Sequence, residues 1–252
     1  MFISTVYLTS LRAFTYKFII LCFILFSNSL SANMGNPETF SNSVSHFERL
    51  LYQGEASLKA GRYQSALIHF KSVLVSNNAT LTNPQKAIIL SNLGTTYWQL
   101  GKLVDAEKSF KKAADIFRTT NQPAHLAIVL SNYGNAMIAN RKPSSARELL
   151  NESLLLIRTH GNDLVESRIL LNLAKLAKNE GEENETVSKL NSALLAINRL
   201  DSGADQAYLL LNLVEVQIDT PAIYNRELGG PNLAQILEQA RSIVEQSQDK
   251  RL

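Results

Sequence analysis

Cysteine is nearly missing from this 252-residue chain, since Cys22 is the only one. A disulfide framework and a cysteine-built zinc site are thereby excluded. The four histidines, His46, His69, His125 and His160, include no pair at the i, i+4 spacing that sets two ligands on one helical face. No glycine-rich phosphate loop is present, and carboxylates such as Glu152, Glu166 and Glu180 show no convergent pairing. No metal or organic cofactor is expected, and the chain reads as non-catalytic. Charge of one sign is lacking too: 25 Lys and Arg stand against 22 Asp and Glu, which leaves no electrostatic footprint for nucleic acid.

Long apolar runs are also few. Phe18–Phe26 (FIILCFILF) is nine residues long, a rise of roughly 14 Å as a helix, about half a hydrocarbon core. Arg12 and Lys17 precede it without any acid, and small and polar residues follow it to Ala32. Basic, apolar and small-residue regions in that order are the mark of a secretory signal peptide. Residues 1–32 are therefore expected to be removed and the mature chain to be secreted or periplasmic, an uncleaved N-terminal anchor being the alternative. Cys22 is not a lipoprotein cysteine, because bulky Ile19, Ile20 and Leu21 precede it. Loss of Arg12 and Lys17 takes the formal charge from +3 to +1 and leaves no stable membrane span. Residues 33–46 are polar and turn-rich and read as a linker.

What the chain has is a period. Leu50, Leu90, Leu130, Leu170 and Leu210 are forty residues apart, and Gly54, Gly94, Gly134, Ala174 and Val214 follow each by four. A strict period over five units signals a repeat architecture. In the second unit Leu90, Leu93, Gly94 and Tyr97 fall at helical offsets, Gly101-Lys102 breaks the pattern, and Leu103, Ala106, Phe110, Ala113 and Ile116 resume it. Turn signals recur at Gly61, Gly101, Arg141-Lys142-Pro143 and Gly181. The second helices carry a small residue and then a bulky one: Ala66 and Phe70, Ala106 and Phe110, Ala146 and Leu150, Thr186 and Leu190. The helical glycines read as close-packing positions. Pairs with apolar residues on several sides bury them only by stacking.

These residues carry a resemblance to the tetratricopeptide repeat family, which shows Leu-Gly, an aromatic, then Ala, an aromatic and Ala. Unit two matches as Leu93-Gly94, Tyr97, Ala106, Phe110 and Ala113, and units four and five drift to Ala174, Thr186 and Val214. The resemblance covers residues 47–247. It implies an all-α fold, a right-handed superhelical solenoid of about five helix–turn–helix units, with the six residues beyond the family's usual length extending the second helix and its exit. AIILSNLGTTYWQLG and AIVLSNYGNAMIANR further resemble the forty-residue repeats that precede caspase-like CHAT domains in secreted cyanobacterial proteins. The chain stops at Leu252, so the expectation is a short relative without that domain. Residues 248–252 would then be a tail or the start of a truncated sixth unit.

Asn92, Asn132, Asn172 and Asn212 form a second column. Asparagine is a mediocre helix former, so its recurrence inside first helices needs a reason. A carboxamide offers both a donor and an acceptor to an extended backbone. Related tetratricopeptide proteins hold peptides on such a ladder, which implies groove binding here; bonding between adjacent helices would explain the column equally. If first helices line the concave face, Ser91, Thr95 and Trp98, then Ser131, Asn135 and Ile138, then Leu171, Lys175 and Lys178, then Leu211, Glu215 and Ile218 join it. Trp98 serves as a partner anchor or as ordinary packing. Arg168, Lys175 and Lys178 form a positive patch suited to a carboxylate, or a solvated face. Unit five inserts about seven residues around Pro221, Gly229, Gly230 and Pro231, before a C-terminal helix whose apolar residues lack an obvious polar cap and suggest self-association through that end. The expected function is a scaffold for an extended peptide or partner protein. The alternative is the regulatory, substrate-recruiting half of a caspase-like system.

Overall fold

A helix begins every twenty residues through most of the chain. The computed structural model describes residues 46–77, 80–218 and 232–249, and every regular element among them is a helix. Five pairs follow one another: α1 (His46–Lys59) with α2 (Tyr63–Asn77), α3 (Asn83–Gln99) with α4 (Leu103–Thr119), α5 (Pro123–Ala139) with α6 (Pro143–His160), α7 (Asp163–Glu180) with α8 (Glu183–Ile197), and α9 (Ala204–Ile218) with α10 (Leu233–Asp249). The expected leader, most of the linker, the enlarged turn of unit five and the last three residues lie outside the described residues. The length beyond a usual repeat is not confined to the second helix. It is shared, since α3, α5 and α7 have 17 or 18 residues and α4 and α6 the same.

Local chemistry sets the boundaries. Thr82 caps α3 in a reciprocal box with Gln85, whose side-chain oxygen accepts from the Thr82 N–H at 2.9 Å. Asn162 caps α7 by accepting from the Val165 N–H at 3.0 Å. Pro123 and Pro143 open α5 and α6, where a missing N–H costs nothing. Left-handed residues end the helices at Gly61, Gly101 and Gly181, and also at Gly161. Arg141 takes that place in unit three with φ 55°. A side chain there costs about 1–2 kcal/mol against the right-handed region. Arg141→Gly is therefore expected to stabilise the chain by roughly 0.5–1 kcal/mol net of glycine's larger unfolded-state entropy, read as a raised melting temperature. An unchanged or lower melting point would contradict it.

Packing within each pair follows the small-and-large rule. A Cβ placed on Gly54 would lie 2.5 Å from the Phe70 ring; on Gly94, 2.7 Å from Phe110; on Gly134, 2.7 Å from Leu150. The equivalent residues of units four and five are Ala174 with Leu190 and Val214 with Ala240, all buried. The first-helix residue grows as its second-helix counterpart shrinks, from Gly–Phe to Val–Ala. The sum stays roughly constant, as a close-packed interior requires.

Between units, the first helices touch in order, α1 to α3, α3 to α5, α5 to α7 and α7 to α9, and each second helix packs on the first helix that follows. Elements that meet their own counterparts lie on the inner track of a bent stack, so the first helices form the concave side. Ion pairs spaced about one unit apart tie the outer edges: Arg118 to Glu152 at 2.9 Å, Lys142 to Glu107 at 2.8 Å, Arg147 to Glu185 at 2.8 Å and to Glu180, and Arg199 to Glu166 at 2.8 Å. Exposed pairs of this kind are screened by water and salt and add little to stability. Tyr133 stacks on Phe110 at 5.8 Å and donates to Glu107 at 3.4 Å; burial first, and then Glu107, pushes its phenol up to about 12.

Two expectations are corrected. α10 starts fifty residues after α8, where other second helices are forty apart, so the insertion in unit five is ten residues rather than seven. The C-terminal helix also does not present its apolar stripe. Ile236, Ala240, Ile243 and Val244 are buried against the stack, while Gln235, Glu238, Arg241 and Glu245 face solvent. An i, i+4, i+7, i+8 stripe turned inward with polar residues outside makes α10 a cap.

Candidate functional groove

The face common to the first helices repeats a triplet at i, i+4 and i+7, which is one side of a helix. It reads Ile128, Asn132 and Asn135 on α5, then Arg168, Asn172 and Lys175 on α7, then Tyr208, Asn212 and Glu215 on α9. All four column asparagines are half-buried. They divide into two classes. The Asn92 amide donates to Glu55 on α1 at 3.3 Å, and the Asn172 amide donates to the Ser131 hydroxyl on α5 at 3.5 Å. Each reaches one unit back and joins two first helices. Asn132 and Asn212 make no side-chain hydrogen bond to another described residue, so their donors and acceptors are unspent in a half-buried position.

The other expected residues are distributed unevenly. Trp98 is half-buried and packs against the cluster that includes Phe110, Phe117 and Leu130. Asn135 is half-buried beside the column, and Lys175 is exposed. Arg168 is exposed and sits 3.8 Å from Asp205 of α9, so the unit-four patch is partly neutralised. Lys178 is half-buried and takes part in a further interaction. Ser91, Ser131, Leu171 and Leu211 do not line the groove, because they are buried between helices. At the preceding position of the triplet the sequence reading named Arg168 alone and missed Ile128, 40% exposed, and Tyr208, 54% exposed. Their signal was an apolar residue one turn before the asparagine, in a register whose other members are Ile88 and Arg168.

Elsewhere, His125 stacks on Phe117 at 5.3 Å, and His160 bonds the Leu156 carbonyl at 2.8 Å. Among the described residues no group of three or more His, Cys, Asp or Glu could hold a metal ion, and no helix is long and apolar enough to cross a membrane.

Residues 47–119 match the tetratricopeptide repeat family, and the helix pairs that follow continue the same stack. Units one and two thus match tetratricopeptide repeats, and the later units share their fold. A curated relative, tetratricopeptide repeat protein 19, mitochondrial, of Homo sapiens, is 28% identical over 96 residues, 38% of this chain and 25% of that one. The chain thus spans about a quarter of that relative's length. Among solved structures, a Podosopora anserina protein with nearly identical tetratricopeptide-like repeats is similar at a TM-score of 0.58 and 19% identity, over 82% of this chain and 99% of that one. The apo form of RapI is similar at 0.62 and 14% identity, over 82% and 73%. At these identities the likeness is one of fold. Tetratricopeptide folds present extended surfaces for protein contacts, and this stack carries Asn132 and Asn212, without a side-chain hydrogen bond to a described residue, on its concave side.

Proposed function

We propose that the chain is a non-catalytic scaffold that holds an extended peptide or a segment of a partner protein in its concave groove, outside the cytoplasm. One observation carries the reading. Asn132 and Asn212, two units apart on the inner face, keep both halves of their amides unspent beside exposed Ile128 and Tyr208. A carboxamide can take a backbone N–H and C=O together, and an aliphatic and an aromatic neighbour offer contact area to a side chain. Asn92 and Asn172 hold adjacent first helices at the spacing that keeps the groove open. Lys175 adds a cation for an acidic residue of the guest. The basic, apolar and small-residue order of residues 1–32 supports export.

The division of the column makes the proposal testable. Affinity capture with the chain from residue 33, which keeps every described helix, is compared with Asn132→Ala/Asn212→Ala. Loss of two amide contacts should weaken retention of the captured partner roughly tenfold or more, with helical content and melting temperature unchanged. Asn92→Ala/Asn172→Ala should instead lower the melting temperature. Equal capture by the first variant would rule out the groove amides as the site.

A further inference from the structure

The convex face is unlike an ordinary solvated surface. The second helices expose one stripe each, and five aliphatic side chains lie in those stripes: Ile68 and Val75 on α2, Val104 on α4, Leu155 on α6 and Leu195 on α8. Each is between 64% and 83% exposed. Val75, Leu155 and Leu195 share one position of the forty-residue register, in which unit two carries Asp115. Scattered exposed apolar residues need no explanation, but a repeated register on one face does.

Charge differs between the two halves of the chain. Residues 46–141 carry 11 Lys and Arg against 5 Asp and Glu, while residues 142–252 carry 12 against 16. The ion pairs between units neutralise many of these. On α2, α4, α6 and the start of α8, the exposed charges left without an ion pair to a described residue are Lys71, then Lys108, Lys111 and Lys112 with the single acid Asp105, then Glu148, Glu182 and Glu183. Lys108 and Lys111 follow Val104 by one and two turns on α4, Glu148 precedes Leu155 by two turns on α6, and Glu182 and Glu183 open the helix that carries Leu195.

We propose that this convex face is a self-association surface on which two copies of the chain pack back to back and antiparallel. The lysines of α4 in one copy face the acids of α6 and α8 in the other, and the two-fold repeats the contact. Such an interface is self-complementary, as a closed dimer requires. The aliphatic stripes supply burial on both halves, and the charges fix the orientation, because a parallel alignment would set lysine on lysine. A bilayer of anionic lipid, or a uniformly acidic protein, would satisfy the lysines but be repelled by the second half. A second copy accounts for both. The concave grooves of the pair then face outward.

Charge-swap complementation tests this. The chain from residue 33 is expected to sediment as a dimer at low ionic strength and to dissociate as salt rises. Lys108→Glu/Lys111→Glu/Lys112→Glu and Glu148→Lys/Glu182→Lys/Glu183→Lys should each weaken dimerisation about a hundredfold or more, while circular dichroism stays unchanged, since all six side chains are exposed. Mixing the two variants should restore a dimer, because each supplies the charge the other lost. A wild-type monomer at low salt would overturn the proposal. So would variants whose mixture stays monomeric, or a monomer that uses the same lysines to bind vesicles of anionic lipid.

Discussion

Phe110→Ala is expected to cost about 3–5 kcal/mol of unfolding free energy. The ring is fully buried, it stacks on Tyr133 of the next unit at 5.8 Å, and it fills the space left by Gly94 within its own unit. Its loss opens a cavity between two helices and beneath a third, at a place where backbone rigidity limits collapse. Natural stabilities run to about 5–15 kcal/mol, so one truncation would remove a large share. Unit two also joins unit one to the rest, and its melting would leave α1 and α2 with no stacking neighbour. Urea denaturation followed by circular dichroism gives the number. Val104→Ala, on the exposed stripe of the same helix, is the control; at high salt, where copies are apart, it should change stability by under about 0.5 kcal/mol. A Phe110→Ala cost as small as that would refute the packing assignment.

Gly94→Ala should cost about 1–3 kcal/mol although it adds a single methyl. The methyl would sit 2.7 Å from Cδ1 and Cε1 of Phe110 and 2.9 Å from Cγ, close to the root of a ring that is itself locked in place. Relief must come from moving one helix away from the other, which loosens their whole contact. Phe110→Leu in the same chain should recover most of the loss, since the double variant recreates the Ala174–Leu190 pair of unit four. The coupling between the two changes is expected to be on the order of 1 kcal/mol or more, with the sign of mutual rescue. Simple additivity would show that the inverse sizes along the column are coincidental.

That column explains how far the sequence could be read. The forty-residue leucine, the helical offsets and the glycine turns are local signals, and they gave the helices, their pairing and the repeat class. Ala174 and Val214 looked like decay of the pattern, because single positions were compared with a consensus. Paired with Leu190 and Ala240 they are compensations, visible only once the second-helix partner is known. The twenty-residue half-period was hidden because Asn121 and Gly161 end second helices with different residue types while sharing a left-handed backbone. The groove was half legible. Chemistry identified the asparagines as special, but a repeated residue type does not show which amides are engaged across helices, and Asn92 and Asn132 look the same in the sequence. The apolar stripe of α10 looked exposed for a similar reason, since amphipathicity gives a face and not its direction.

Every substantial contact among the described helices joins elements adjacent or next-but-one along the chain. Contact order is therefore low, and the loops closed during folding are never much longer than one unit. Folding should be fast for a chain of this size and able to begin at any well-packed pair. It also means that removing or adding a whole unit leaves the remaining contacts in place, so the length of the groove can change without any helix having to find a new neighbour.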